Sequence, residues 1–422
     1  MAQLTHRTVL DNGITLLVVE NPAADIIASR IFIRAGSRWE PPEKAGLFHL
    51  LSSVLTRGTQ KLSSMEIAER VESVGASLNA ETATDYFQLS FKTVSADFTD
   101  ILNLAGELLR SPSFPEIEIE LERRLTLQDI RSQQEHPSSI AFEQLRLAMY
   151  GDHPYALSSL GTEATVSQLS QDDLNHYHQT YFRPDNMIIS LAGRITVEDA
   201  VEMVTEVFGD WQLPSVPLPV LALPEVTSEP CIRVIPQETQ QSMVMLGYLT
   251  PSVQHSDYAA LKLLNTYLGN GLSSRLFVEL REKRGLAYEV SAFYPTRLDA
   301  SQFVVYMGTA PGNTAIALEG LRSEVERLCS TLLSLDEIQA CKNKLLGQYA
   351  LSKQTNSQLA QVFGWYETIG LGIDFDDLFQ EQISQISPEI AQKAACTYFI
   401  EPYVSLVGPA DAVNAWGVPA VC

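Results

Sequence analysis

The sequence predicts an α+β protein: two homologous α/β-sandwich domains in tandem, each a mixed sheet packed by helices, joined by an extended proline-rich linker. Segments with strand and helix periodicity alternate along the chain. The stretch YFRPDNMIISLAGRI (181–195) is echoed by YFIEPYVSLVGPA (398–410), which indicates a duplication at a spacing of about 210 residues. Residues 213–230 are rich in proline and have no helical period, as expected of a linker. We therefore predict domains at 1–212 and 231–422.

The first elements have clear local signals. An Asp-Asn-Gly turn at 11–13 joins two strands in a hairpin, and the apolar run at 26–37 suits a strand in a sheet covered by helices. A helix is predicted at 61–75, because Ser63 and Glu66 form a capping box and glycine ends the segment.

Strands and helices then alternate to the end of the first domain. Residues 76–94 alternate and are rich in β-branched and aromatic side chains, which favours strands. An amphipathic helix is predicted at 96–112, and Pro115 opens a long helix. Helical patterns continue to about residue 180, with an interruption at 151–161, before the buried strand within 181–195.

The stretch Gly36 to Thr59, GSRWEPPEKAGLFHLLSSVLTRGT, contains the helix on which the functional interpretation depends. Pro41-Pro42 stop what precedes it and Gly58 ends it. Its apolar residues recur at helical spacing at Leu47, Leu50, Leu51, Val54 and Leu55. His49, Ser52 and Ser53 fall at i, i+3 and i+4, so they share one helix face.

This run, followed by GASLNAETATDYF (75–87), resembles the pitrilysin-type zinc peptidases, which include mitochondrial processing peptidase and insulin-degrading enzyme. Members of that family carry an H-x-x-E-H zinc motif on this helix. Here His49 is retained, Ser52 takes the position of the glutamate base, and Ser53 that of the second histidine. A serine hydroxyl is neither a general base near neutral pH nor a good zinc ligand.

The resemblance also implies a third ligand, a carboxylate on a later helix. The match places Glu122 at an acidic position and Asp129 at the ligand position, seven residues on and on the same face. A hydrolytic zinc centre needs three protein ligands and a water beside a base. We expect these positions to be vestigial, with no metal or other cofactor in this chain, and zinc in a partner subunit. The alternative is that His49 is an ordinary packed helix histidine.

Two further features of the first domain each have two interpretations. The resemblance implies that Leu78, Asn79 and Ala80 lie on an edge strand that pairs with the substrate backbone; the alternative is an ordinary edge strand. His176 and His178 have the alternating spacing of a strand metal site, but their surroundings predict a helix, on which the two side chains diverge.

The second half begins with a predicted strand at 242–252 and a helix at 256–271. Residues 272–294, LSSRLFVELREKRGLAYEVSAFY, again resemble the family, and Arg281 and Tyr288 match an arginine and a tyrosine that bind the substrate carbonyl and the developing oxyanion. A permanent cation and a neutral hydroxyl donor both suit that charge. The alternative is a solvated helix arginine and a partly buried strand tyrosine.

Together these motifs imply the non-catalytic subunit of a heterodimeric zinc peptidase, inactive alone. It would close the substrate chamber and supply Arg281 and Tyr288 in trans to a homologous subunit with an intact H-x-x-E-H helix. The alternative is a peptide-binding or scaffold protein of the same fold with no part in hydrolysis. An active homodimer would require the absent base and ligand.

Composition limits the partners. The chain of 422 residues has 51 acidic and 29 basic residues, a formal net charge of −22, which argues against binding nucleic acid or anionic membranes. An acidic surface favours basic peptides, or simply solubility. The five cysteines lack C-x-x-C spacing and are predicted to be reduced thiols. Without a leader-like amino terminus or a long apolar run, we expect a cytoplasmic location.

Overall fold

The computed structural model describes residues 5–414, which form two compact units, each built around one sheet. Each unit includes a segment from the other half of the chain. The first unit contains residues 5–130, 158–222 and 350–376, and the second contains residues 131–157, 223–349 and 377–414.

The first unit has a six-stranded mixed sheet in the order β1-β2-β6-β3-β5-β4. Its strands are β1 (Thr5–Val9), β2 (Thr15–Glu20), β3 (Ile26–Ile33), β4 (Ser77–Thr82), β5 (Phe87–Val94) and β6 (Met187–Gly193). Strands β2 and β6 are parallel, and the other neighbours are antiparallel. The predicted hairpin, the strand at the start of 26–37 and the strands within 76–94 are confirmed.

Helices cover this sheet and enclose an apolar core. They are α1 (Leu47–Leu55), α2 (Ser64–Ser73), α3 (Phe98–Arg110), α4 (Glu116–Glu135, which runs on into the second unit), α6 (Glu163–Val166), α7 (Gln171–Tyr181), α8 (Val197–Phe208) and α12 (Asn356–Thr368). The core contains fully buried residues of both layers, among them Ile31, Phe48 and Phe98. The capping box predicted for α2 is present.

The second unit has a five-stranded mixed sheet in the order β7-β11-β8-β10-β9. Its strands are β7 (Ile232–Pro236), β8 (Ser242–Thr250), β9 (Ala287–Phe293), β10 (Ser301–Thr309) and β11 (Tyr403–Gly408). Its helices are α5 (Pro137–Tyr150), α9 (Tyr258–Gly269), a π-helix (Phe277–Lys283), α10 (Thr314–Ser330), α11 (Leu335–Leu351), α13 (Phe375–Gln385), α14 (Pro388–Tyr398) and α15 (Ala410–Val413).

The two sheets repeat one topology, as the predicted duplication requires. Strand β6 lies between β2, to which it is parallel, and β3, to which it is antiparallel. Strand β11 lies in the same way between β7 and β8. The echoed stretches 181–195 and 398–410 therefore supply equivalent strands, and β4 and β9 are equivalent edge strands.

One helix on each sheet comes from the opposite half of the chain. In the first unit, α12 packs on β3 and β6, and a Cβ at Gly364 would lie 2.4 Å from Phe32 Cε2. In the second unit, α5 packs on β8 and β11, and a Cβ at Gly247 would lie 2.6 Å from Met149 Sδ. Glycine permits both close approaches.

Between Phe208 and Ile232 the chain forms no helix or strand, and the segment 213–230, predicted as a linker, lies within this stretch. The boundaries 1–212 and 231–422 stay a prediction about sequence domains, since the compact units exchange segments. Within residues 5–414, no helix combines the length and apolarity needed to cross a bilayer.

The predicted thiols are found at three cysteines, since Cys329, Cys341 and Cys396 are free. Cys231 is disulfide-bonded, so the prediction of a reduced thiol is wrong for that residue. Cys422 lies outside the described residues.

Candidate functional site

The start of helix α1 is held by a buried glutamate. Glu40 accepts hydrogen bonds from the backbone N–H groups of Gly46 (2.9 Å) and Phe48 (2.5 Å), and Gly46 has a φ of +93°. The carboxylate thereby caps the amide groups that a helix leaves unpaired at its N-terminus. Burial raises the pKa of Glu40 to about 8, against the opposing effect of the two N–H donors. This arrangement positions His49 one turn into the helix.

The two serines of the motif face their own helix. Ser52 Oγ donates to the carbonyl oxygen of His49 at 2.7 Å, and Ser53 Oγ donates to the same oxygen at 3.0 Å. Such bonds to i−3 and i−4 carbonyls are the usual way in which a helix satisfies a serine hydroxyl. Both hydroxyl protons are thus engaged locally, at the positions where a zinc helix would carry a base and a ligand.

Two carboxylates act on His49 from α4. Burial lowers the pKa of the His49 imidazole, while Asp129 and Glu122 oppose that shift. Glu122 is only 7% exposed and accepts a hydrogen bond from Arg57 Nη2 at 2.7 Å in an ion pair, whereas Asp129 is exposed. Both acidic residues are therefore close enough to His49 to influence its charge.

Arg57 was not predicted as part of this site. It lies at the end of the α1 segment, 65 residues before Glu122, and no local spacing links the two. With Glu122 paired to Arg57, the remaining donors are one imidazole and one exposed carboxylate. That set does not fit a catalytic zinc centre, which needs three protein ligands. Over residues 5–414, no group of three or more His, Cys, Asp or Glu side chains could hold a metal ion.

The two histidines of α7, His176 and His178, differ in their surroundings. As predicted, the segment is helical; His176 is exposed and His178 is buried. His178 Nε2 hydrogen-bonds the carbonyl oxygen of Leu109 at 2.9 Å, and burial lowers the pKa of His178 to about 4. A buried neutral imidazole bonded to the backbone is part of the core.

The strand with Leu78, Asn79 and Ala80 is at the sheet edge, as predicted. Among residues 5–414, strand β4 pairs only with β5, and α1 packs beside it. Leu78 and Ala80 are half-buried against the core, while Asn79 is exposed. The unpaired edge offers backbone N–H and C=O groups to an added strand, although peptide binding itself stays a prediction.

Arg281 and Tyr288 both lie at the surface of the second unit. Arg281 is on the π-helix, with its guanidinium carbon 5.1 Å from the centre of the Phe277 ring. Tyr288 is 63% exposed on β9, the edge strand equivalent to β4. Within residues 5–414, neither side chain forms a hydrogen bond or an ion pair, so both retain their donors for a ligand.

The segment that carries Arg281 is a π-helix of seven residues, a conformation that is rare and frequent at functional sites. Arg275 anchors it, with ion pairs from Nε to Glu324 on α10 (2.7 Å) and from Nη1 to Glu279 (2.9 Å). A cavity of about 290 Å³ adjoins the π-helix and is lined by Val278 and Glu279. The ion pairs of Arg275 therefore restrain the side of the π-helix that faces the cavity, where packing is incomplete.

Comparison with known proteins places these features in a family. Residues 15–163 match the Insulinase (Peptidase family M16) model, and residues 168–345 match the Peptidase M16 inactive domain. The chain belongs to the peptidase M16 family. The first match includes α1 and α4, and the second includes Arg281 and Tyr288. The resemblance to pitrilysin-type peptidases is thereby confirmed, and the protein is an inactive-type member of this zinc protease family.

Relatives named as zinc proteases match nearly the whole chain. "Uncharacterized zinc protease YmxG" of Bacillus subtilis is 28% identical over 408 residues, 96% of this chain and 98% of that protein. "Uncharacterized zinc protease SCO5738" of Streptomyces coelicolor is 28% identical over 412 residues, 96% of this chain and 89% of that protein.

Two solved structures share the fold. A protease from Helicobacter pylori has a TM-score of 0.91 at 23% identity, over 96% of this chain and 100% of that chain. A peptidase M16 inactive domain from Pseudomonas fluorescens has a TM-score of 0.89 at 24% identity, over 96% of this chain and 98% of that chain. At these identities, the likeness supports the two-domain α/β fold.

Proposed function

We propose that this chain is the non-catalytic subunit of a heterodimeric M16 peptidase. It closes the substrate chamber and supplies Arg281 and Tyr288 in trans to a homologous subunit that carries the intact H-x-x-E-H helix and the zinc. The observation that carries the proposal is the local engagement of Ser52 and Ser53, because it leaves no glutamate base and no second imidazole on the helix of His49. The predicted cytoplasmic location belongs to this proposal.

The exposed donors of the second unit support an active role in the complex. Arg281 offers a permanent charge and Tyr288 a neutral hydroxyl, and a tetrahedral intermediate develops negative charge on oxygen. A partner that supplies zinc and base would need such donors from outside its own motif helix. The formal net charge of −22 favours basic segments in the peptide substrate.

The proposal is tested by reconstitution. The chain is purified from native cells, the co-purifying protein is checked for an intact H-x-x-E-H motif, and each is then prepared alone. We expect the lone chain to hold little zinc and to leave a peptide library uncut, and the mixture to cleave in a chelator-sensitive way. Chelator-sensitive cleavage by the lone chain would refute the proposal.

The second candidate is a peptide-binding or scaffold protein with no part in hydrolysis. The unpaired edge of β4 favours it, because strand addition needs only backbone hydrogen bonds. A substitution at Tyr288 distinguishes the two candidate functions. Tyr288→Phe removes only a hydroxyl and should slow cleavage by the mixture, whereas a scaffold would tolerate it. Tyr306→Phe on the adjacent β10, whose hydroxyl donates to Glu289 at 3.0 Å, is the matched control.

A further inference from the structure

Two free cysteines of the second unit meet where α10 and α14 pack together. Cys396 Sγ on α14 donates to the carbonyl oxygen of Cys329, near the end of α10, at 3.5 Å. Gln392 Nε2, one turn earlier on α14, donates to the same oxygen at 2.9 Å. Two side chains of one helix thus hold the last turn of the other, which fixes Cys396 against Cys329.

The two thiols are also close enough to influence each other's protonation. Burial, with a smaller contribution from the neighbouring Cys396 thiol, raises the pKa of Cys329 to about 12. Cys396 is exposed and Cys329 is half-buried, so a small reagent reaches Cys396 first. The third free thiol, Cys341, is buried, and burial raises its pKa to about 11. Access and proximity therefore distinguish the Cys329–Cys396 pair from Cys341.

A metal site is a poor alternative for this pair. Soft metals bound by cysteine usually take three or four protein ligands. In the part of the chain that the structure describes, no cluster of three or more His, Cys, Asp or Glu side chains could hold a metal. Two neighbouring thiols, held together by the bond from Cys396 Sγ to the Cys329 carbonyl oxygen and without further ligands, suit disulfide chemistry.

We propose that Cys329 and Cys396 form a modification site at which hydrogen peroxide produces an intrachain disulfide between α10 and α14. The Cys396 thiolate attacks one peroxide oxygen, the O–O bond breaks, and Cys396 becomes a sulfenic acid while hydroxide leaves and takes up a proton. Cys329, as thiolate, attacks the Cys396 sulfur, and the sulfenic hydroxyl leaves as water. Two thiols and one peroxide give one disulfide and two waters, and a reductant such as dithiothreitol reverses the oxidation.

The test is oxidation of the full-length, reduced chain followed by peptide mapping without reduction. We expect a cross-linked peptide pair containing Cys329 and Cys396, lighter by two hydrogen atoms than the separate peptides. Cys341→Ser should oxidise like the wild type, and Cys396→Ser should leave Cys329 unmodified at the same dose. The cross-link should form faster as pH rises from 7 to 9, by up to about tenfold per pH unit, because little Cys329 is ionised there.

Three results would contradict the proposed disulfide. Oxidation of Cys396 to the sulfinic acid without a cross-link would overturn the proposal, as would a cross-link from either residue to Cys341. Equal modification of Cys329 in wild type and Cys396→Ser would also overturn it, because Cys329 would then react without its neighbour. The inference does not rest on the proposed peptidase role.

Discussion

Ser52 and Ser53 differ from the residues of an H-x-x-E-H helix in where their hydrogen bonds go. A glutamate or histidine at these positions extends away from the helix, whereas each hydroxyl returns its proton to the His49 carbonyl within the same turn. These two positions thus offer neither a base nor a metal ligand, although the helix that carries them is formed. The loss of chemistry at this site lies in two side chains.

Restoring those side chains tests this account. Ser52→Glu with Ser53→His supplies a base and a second imidazole, and Asp129 supplies a carboxylate. We expect the double variant to bind about one zinc per chain, against little in the wild type, measured by metal analysis after dialysis. Adding Asp129→Asn to the double variant is the matched control and should abolish the gain. Unchanged zinc content in the double variant would contradict this account, because it would show that the backbone no longer places these side chains around one metal ion.

Glu40 predicts a dependence of stability on pH. Its pKa is about 8 in the folded chain, above its ordinary value, so the folded state binds more protons than the unfolded state between these two pKa values. Its contribution to the free energy of unfolding is therefore present at lower pH and is lost as pH rises towards 8, by at most about 1.4 kcal/mol per pH unit. Urea unfolding of Glu40→Gln from pH 5 to 8 should show a flatter profile than the wild type. Glu43→Gln, at an exposed neighbour, should keep the wild-type slope; the same slope in Glu40→Gln would refute this reading.

The sequence could predict which residues stand on the α1 and α4 faces, because helical spacing is local. It could not predict that Arg57 neutralises Glu122, because the two residues are brought together only by tertiary structure. Nor could it predict that Glu40 caps α1, because a cap six to eight residues before its targets requires the intervening turn. The sequence therefore predicts which residues share a helix face, but it does not predict which residues from distant positions pair.

At the scale of elements, the π-helix is the feature that sequence periodicity could not identify. Residues 272–294 include the π-helix and strand β9, and periodicity does not distinguish an α-helix from a short π-helix. The ion pairs of Arg275 with Glu279 and Glu324 lie on the side of the adjoining cavity. They are well placed to maintain the conformation that carries Arg281.

We predict that Glu324→Gln loosens this segment. Removing the carboxylate leaves the partly buried Arg275 with one ion pair fewer, at a cost of about 1 to 3 kcal/mol of local stability. Amide hydrogen exchange should become faster across 277–283 and stay unchanged in β8. Glu319→Gln, at an exposed position on the same α10 helix, should behave as the wild type. Identical exchange in Glu324→Gln and Glu319→Gln would mean that the ion pair does not hold the π-helix.

At the scale of the whole molecule, the duplication was readable because the two β-strand motifs keep their Tyr-Phe and proline signals. Their equivalent places in the two sheets confirm it. The sequence could not predict the exchange of α5 and α12 between the units, because the periodicity of a helix does not specify the sheet on which it packs. The boundaries 1–212 and 231–422 stay a prediction, and the compact units describe the packing.

The exchanged helices depend on glycine contacts, so adding a methyl group there should destabilise the protein. Gly364→Ala would place a Cβ 2.4 Å from Phe32 Cε2, and Gly247→Ala would place one 2.6 Å from Met149 Sδ. Overpacking of this kind costs about 1 to 3 kcal/mol, which a lowered urea midpoint would report. The control is Gly347→Ala on α11, where an added Cβ meets nothing within 4 Å and should be neutral or stabilising. Equal midpoints for all three variants would contradict close packing of the exchanged helices.

The central claim is that this chain contributes Arg281 to a zinc site that it does not itself hold. The most direct measurement is kcat for peptide cleavage by a mixture of this chain with its zinc-bearing partner, using wild type, Arg281→Ala and the exposed neighbour Arg284→Ala. The account predicts a fall of about 10² to 10³ in kcat for Arg281→Ala, the usual loss for an oxyanion donor, and no change for Arg284→Ala. Equal kcat for all three chains would contradict it.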